Sequence, residues 1–321
     1  MTYNDNYLCK LVNDELKHIY YNNVDNLYNP VRYVIDNGGK RVRPVLLLMA
    51  YNLYKDDVEC VVKNAMALEL YHNLTLLHDD IMDKAEIRRG RPCVHVKWNV
   101  NTAIQAGDAM FCIAYRLMTE NNHNIEAIKS FNYATIGVFE GQQFDIDFEN
   151  DINVSEKQYM EMIRLKTALL LASALKIGAQ LANADEKDVQ AIYKFGELIG
   201  LAFQLQDDML DVYADSNVFG KNIGGDIVVN KKTFMLIKAL ELAGNERQTL
   251  IEWINKKKFD KQEKIKAVKD IYDKLNIKEI CQQKVNQFFN LAMKQLDHVN
   301  VPEERKQVLR NYAIKLMDRK A

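Results

Sequence analysis

Leu76 to Asp83 reads LLHDDIMD and Gln204 to Asp211 reads QLQDDMLD, and the meaning of the whole chain turns on these two stretches. Each sets three carboxylates behind an apolar run. Side chains three or four residues apart share a helix face, so Asp79 should point with Asp83 and Asp207 with Asp211, with Asp80 and Asp208 beside them. Carboxylates crowded into one turn repel each other, and near a helix C-terminus they also oppose the macrodipole. A cation would offset that cost. Magnesium suits the set because it takes carboxylate, water and substrate phosphate oxygens together, whereas zinc favours histidine and cysteine. One such string arises by chance on surface helices, but a second copy in an apolar setting argues for metal.

Away from the triplets the chain reads as helix almost throughout. The 321 residues include only four prolines and thirteen glycines, and neither gathers into a linker, so one continuous domain over residues 1–321 is expected. Helical periodicity breaks at Asn37 to Gly39, Arg89 to Pro92, Asn121 to Asn124, Asn183 to Asp188 and Ala214 to Gly225, leaving roughly ten to twelve helices. Arg43 to Leu53 and Leu165 to Leu181 are apolar on more than one stripe, as for helices inside a bundle. The charge-rich run Lys256 to Asp270 reads instead as a solvated helix face.

Hydrophobic residues make up 48% of the chain, enough for a large core, and a formal charge of −1 gives no basic excess for nucleic acid or an anionic membrane. The five cysteines, Cys9, Cys60, Cys93, Cys112 and Cys281, form no metal-type pairs and suit a reducing compartment as packed apolar residues. No secretory signal is read in MTYNDNYLCKLVNDELK, and no run of about 18 uncharged apolar residues would span a bilayer. A soluble cytoplasmic protein is expected.

Basic residues flank the acids. NGGKRVRP sets Lys40, Arg41 and Arg43 just after a glycine turn, and RRGRP sets Arg88, Arg89 and Arg91 just after the first triplet. Arginine forks and lysine point charges suit phosphate oxygens. Beside paired magnesium carboxylates, diphosphate binding is a better account of them than solvated loop charge.

The chain resembles the trans-isoprenyl diphosphate synthases, the farnesyl, geranylgeranyl and longer polyprenyl diphosphate synthases. The resemblance runs from about Gly38 to Thr233, through GGKRVRP, HNLTLLHDDIMDKAEIRRGRPCVH, GDAM, EGQQFDID, RLKTALL, FQLQDDMLD and FGKNIGGD. It implies an all-α, single-domain helical bundle of the isoprenoid synthase type, with both triplets at the mouth of a central apolar cavity, and a homodimer. It also implies magnesium, about three ions with diphosphate bound, held by Asp79, Asp80, Asp83, Asp207, Asp208 and Asp211. Arg88, Lys166 and Lys221 match basic positions at the allylic diphosphate. Lys40, Arg43, His72 and Arg89 match the isopentenyl diphosphate site, and Thr167 and Gln204 match polar positions at the reacting centre. Asp145 would orient the second substrate or a lysine.

The implied reaction adds isopentenyl diphosphate to an allylic diphosphate. In short-chain members bulky residues four or five before the first aspartate close the tail site. Here those positions are Thr75 and Leu74, and Tyr71, one turn further back, is the expected floor for a C20 product, with C15 or longer as alternatives. The sequence departs from the family after the second triplet: VVNKKTF, Val228 to Phe234, stands where many members carry glycine, lysine, threonine, leucine and proline, which leaves Lys231 in doubt as a diphosphate ligand. Three other readings compete. A dimetal bundle would use Glu69 with His72 and Glu120 with His123, although ENNHN is a polar break. Terpene cyclases usually carry an asparagine-serine-glutamate pattern in place of DDMLD, and a non-catalytic subunit would tend to have lost aspartates that are intact here.

Overall fold

The computed structural model describes residues 1–19, 22–120, 124–214 and 223–318. Helices α1 (Asp5–Leu16), α2 (Asp25–Asp36) and α3 (Val42–Asn52) lead into α4 (Val62–Met82). A short α5 (Val94–Lys97) is followed by α6 (Val100–Thr119), α7 (Ile125–Phe148), α8 (Glu156–Ile163), α9 (Leu169–Leu181) and α10 (Glu186–Tyr213). Then come α11 (Gly225–Val228), α12 (Phe234–Leu242), α13 (Arg247–Asn255), α14 (Lys261–Lys274), α15 (Ile277–Asp297) and α16 (Glu303–Met317). The described residues hold more helices than the sequence suggested, because the stretch after Gly225 breaks into several short segments. Among the described residues no helix is long and apolar enough to cross a membrane.

The described residues gather into two compact units. The first comprises residues 1–135, 173–192 and 300–309, and the second 136–172, 193–299 and 310–321. In the first, α4 is the axial element, with Ala65, Leu68, Leu70, Tyr71 and Leu74 all buried, and it packs most extensively on α6. Close approach is possible because Gly107 leaves room for the His78 ring: a Cβ there would stand 2.2 Å from His78 Nε2.

The break expected at Arg89 to Pro92 is a small hairpin, Ile87–Arg88 paired with Arg91–Pro92. Its loop, Arg89 and Gly90, has positive φ at both residues (51° and 75°), the two-residue turn whose twist matches that of the strands. At the other glycine turn Arg41 caps α3 in the left-handed region, at φ 50°. Its buried guanidinium pairs with Glu69 at 2.6 Å and donates to the Ile35 carbonyl at 2.9 Å. The basic strings are therefore built loops.

In the second unit, Ser155 and Gln158 form a capping box that starts α8. Leu165 to Leu181 is not one α-helix, since α8 runs into α9 through a π-helical turn at Arg164–Ala168. Such turns add a residue and often mark functional positions. α7 closes on this turn through Gly141, where a Cβ would come within 2.3 Å of the Lys166 backbone nitrogen and 2.8 Å of the Leu165 carbonyl carbon. The charged run at 256–270 is solvated only in part. Lys264, on α14, is 1% exposed.

Backbone cannot yield as a flexible side chain can, so Gly141→Ala should lower stability by about 2–3 kcal/mol. Urea denaturation of the purified variant measures this, and an unchanged midpoint would contradict the packing described.

Candidate active site

Successive residues on a helix point about 100° apart, so the middle aspartate of each triplet is turned from the first, and in both units it is the buried one. In the first unit Asp79 is half-buried and Asp83, the α4 C-cap, is exposed, while Asp80 is buried and accepts a hydrogen bond from Arg88 Nε at 2.6 Å. In the second unit Asp207 and Asp211 are half-buried and Asp208 is buried, accepting from the Tyr159 hydroxyl and, at 2.8 Å, from Gln204 Nε2. Asp211 accepts the Asp226 backbone N–H at 2.9 Å. The outer aspartates keep the shared face expected of them, and the middle ones are tied to protein donors.

The first unit also holds a cationic cluster. Arg89 donates to the Gly38 carbonyl, and its guanidinium fills the space of a Cβ at Gly39, whose φ is 140°. Burial pushes the Arg43 guanidinium down to about 10, against the pull of Glu69. Its Nε finds no acceptor among the described residues. Burial, and then the charges of Arg43, Arg89, Arg88 and Arg41, hold the His72 imidazole well below its usual pKa. A neutral histidine among four arginines, one with an orphaned N–H, is an excess of positive charge and donors waiting for an anion. Lys40 lies exposed on the same glycine turn.

In the second unit the π-turn presents Lys166 and Thr167. Lys166 Nζ pairs with Asp145 at 2.6 Å. Burial raises the Asp145 carboxyl, but Lys166 and Lys231 outweigh it and hold it below its usual range. Thr167 donates to Gln204 Oε1 at 2.8 Å, and Gln204 in turn donates to Asp208. Burial pushes Asp208 up to about 6 and Asp226 to about 7, Lys231 working against both and neighbouring aspartates reinforcing both. This unit is short of positive charge. Among the described residues no three histidine, cysteine or acidic side chains converge to cage a metal by themselves. That donor set, all carboxylate and incomplete, fits magnesium, which keeps waters and takes substrate phosphate oxygens to complete its shell.

Tyr71 is fully buried and donates to the Thr135 carbonyl at 2.8 Å. Its ring meets Phe111 and Phe131 at centroid distances of 6.2 and 5.9 Å. Leu74 is buried, and Thr75 is half-buried with its hydroxyl on the His72 carbonyl. Lys221 lies outside the described residues, as does His123. Glu69 is engaged by Arg41 and by Asn73 Nδ2, and Glu120, just past α6, pairs with Lys63, so neither glutamate serves a dimetal site. Sequence reasoning missed Tyr159 and Asp226. Asp226 stood inside the motif FGKNIGGD, but nothing in the string said that its backbone returns to Asp211.

The family model described as Polyprenyl synthetase matches residues 24–272. A short chain isoprenyl diphosphate synthase of Methanocaldococcus jannaschii is 40% identical over 275 residues, 84% of this chain and 83% of that protein. A geranylgeranyl diphosphate synthase of Sulfolobus acidocaldarius is 35% identical over 310 residues, 94% and 93% of the two chains. A crystal structure of a geranylgeranyl pyrophosphate synthase superposes over 100% of both chains with a TM-score of 0.95 at 38% identity.

The raised carboxyls give a signed pH dependence. Folding stabilises the protonated forms of Asp208 and Asp226, a contribution complete below the unfolded value of about 3.9 and lost as pH rises through about 6 to 7 in metal-free protein. Melting temperatures measured in chelator from pH 5 to 8 should therefore include a fall that Asp226→Asn reduces. Magnesium with inorganic diphosphate should restore more stability at the alkaline end than at the acid end.

Proposed function

The chain belongs to the polyprenyl synthetase family and is a trans-prenyltransferase of the chain-elongating kind, and from that premise we propose that it condenses isopentenyl diphosphate with dimethylallyl, geranyl or farnesyl diphosphate. The observation that carries the assignment of substrates is the cationic cluster around His72, which Glu69 and Asp80 balance only in part and whose donors suit a diphosphate. Lys40, Arg43, His72 and Arg89 hold isopentenyl diphosphate. Arg88, Lys166, Lys221 and Lys231 hold the allylic diphosphate. Asp79, Asp83, Asp207 and Asp211 would hold magnesium, while Asp80 and Asp208, which the resemblance groups with them, fix Arg88 and Gln204 in place. When bound, magnesium offsets the charge that develops on the leaving diphosphate.

The allylic carbon–oxygen bond breaks heterolytically, and the cationic side chains stabilise the diphosphate that departs. Thr167 and Gln204 set oxygen dipoles toward the allylic cation, and Asp145 keeps Lys166 in position. The isopentenyl double bond attacks the cation, and a proton passes to an oxygen of the released diphosphate, so no side-chain base is needed. Apolar helix faces exclude the water that would quench the cation.

Tyr71 closes the tail site one helical turn, about 5.4 Å, beyond the position occupied by Thr75. One turn is close to one prenyl unit, which favours geranylgeranyl diphosphate over the farnesyl product. Its anchoring bond to Thr135 and its packing on Phe111 and Phe131 support a fixed floor. We further propose a cytoplasmic homodimer in which the whole chain is one catalytic domain. Tyr133, Ile136, Phe139 and Phe144 stand exposed along α7, an apolar stripe of the kind a partner covers.

Purified chain given magnesium, farnesyl diphosphate and isopentenyl diphosphate should form C20 diphosphate with no other protein added. No product would leave the non-catalytic reading in its place. Asp79→Ala or Asp207→Ala should cut turnover at least about a hundredfold while the fold survives, because removing one acid relieves repulsion within its triplet. Circular dichroism and product assay together check this. Tyr71→Ala should lengthen the product and Leu74→Phe shorten it. Chromatography showing one unchanged distribution in both active variants would reject the floor.

A further inference from the structure

Lys264 is the most deeply buried lysine in a helix that otherwise carries its charges in solvent. Its ammonium donates to the Val228 carbonyl at 3.1 Å and to Asn230 Oδ1 at 2.6 Å, and stands 4.3 Å from the Phe259 ring centroid. An aliphatic side chain would fill this space without the desolvation cost of an ammonium, so what the lysine adds lies with its hydrogen-bond partners. Both belong to the segment leading into Lys231.

That segment is tied from several sides. Asn230 takes the left-handed conformation, φ 57°, where the family pattern has glycine, and its Nδ2 donates to the Ile254 carbonyl at 3.0 Å. On the far side of Lys231, Lys232 Nζ donates to the Glu149 and Asn230 carbonyls at 2.8 and 3.1 Å. Thr233 then caps α12. The Lys231 backbone N–H meets the Asp226 carbonyl at 2.9 Å, and the ammonium acts on Asp145, Asp208 and Asp226. A small cavity bounded by Asp226, Asn230, Lys231, Leu250 and Tyr272 adjoins the segment.

We propose that Lys264 and Asn230 are positioning residues that fix the backbone around Lys231 so that its ammonium reaches the departing diphosphate. A lysine on a flexible stem needs such control, because its point charge pairs readily with any nearby carboxylate. Asn230 holds a left-handed turn and adds a side chain that bonds to α13 and to Lys264 of α14. The inference rests on the reading of Lys231 as a diphosphate ligand.

A mutant cycle tests both layers. Lys231→Ala should lower kcat and weaken the binding of inorganic diphosphate with magnesium; unchanged values would overturn that reading of Lys231 and the bracket with it. Lys264→Met should lower kcat about tenfold with far smaller changes in KM, and Lys264→Arg, which keeps donors, should recover most of the loss. In a Lys231→Ala background, Lys264→Met should change kcat and diphosphate affinity less than about twofold, since it acts through a side chain no longer there. Equal losses in both backgrounds, or a folded Lys264→Met with normal kcat, would overturn the bracket alone. If Lys264→Met fails to fold, Asn230→Gly, which keeps the left-handed turn and removes the grip, runs through the same cycle with the same deciding outcomes.

Discussion

A helix advances about 100° per residue, so adjacent aspartates cannot face the same way, and much of the site is organised around that constraint. Each DDxxD string sends its first and last carboxylates to one face and its second into the protein. A buried carboxylate without partners is costly. Asp80 is met by Arg88, which in turn requires the hairpin with its two-residue loop. Asp208 is met by Tyr159 and by Gln204, which is itself held by Thr167 on the π-turn. Groups that look like scattered motifs along the chain are the donors demanded by two inward-facing acids.

The same economy governs the cations. Arg41, the second residue of the KRVR string, is not available to a substrate: it is buried against Glu69 and the end of α2. Breaking such a pair by removing one partner costs about 3–5 kcal/mol, because a buried charge is stranded. This pair fixes the glycine turn onto α4, and with it Arg43 and the loop against which Arg89 rests. What is left over, the Arg43 Nε and a neutral His72 among arginines, is the part of the charge distribution that the fold itself does not satisfy. The second unit is unbalanced in the opposite sense, with two carboxyls pushed above their usual range. Unmet charge of known sign is what distinguishes these clusters from solvated surface.

That distinction also disposes of the dimetal bundle. ExxH spacing at Glu69 and His72 is a correct helical observation, and i,i+3 residues do share a face, but a metal ligand must have lone pairs to give. Glu69 Oε1 already accepts from Arg41 and Asn73, and the Arg41 guanidinium already balances the carboxylate charge that a metal would need. Spacing proposes ligands, and hydrogen-bond accounting decides among them.

The sequence by itself determined the helical class, the shared face of each outer aspartate pair, the break at Arg89 to Pro92, and the residue types that suit magnesium and diphosphate. All of these depend on interactions within a few residues, where helical period and turn chemistry are local rules. It also carried the family, through the order of its motifs. Only the tertiary structure decided which members of each string do which task. Arg41 and Arg43 are two residues apart, yet one is a strut and the other an unsatisfied donor, because Glu69 stands beside one of them. Tyr159 was invisible as a partner of Asp208, 49 residues away. Lys264 read as part of a solvated charged face and is buried, and the asparagine that seemed to weaken the case for Lys231 is what Lys264 grips. Partnership across distant segments depends on how whole helices pack, and that packing is set by the shapes of many side chains at once, which no local pattern encodes.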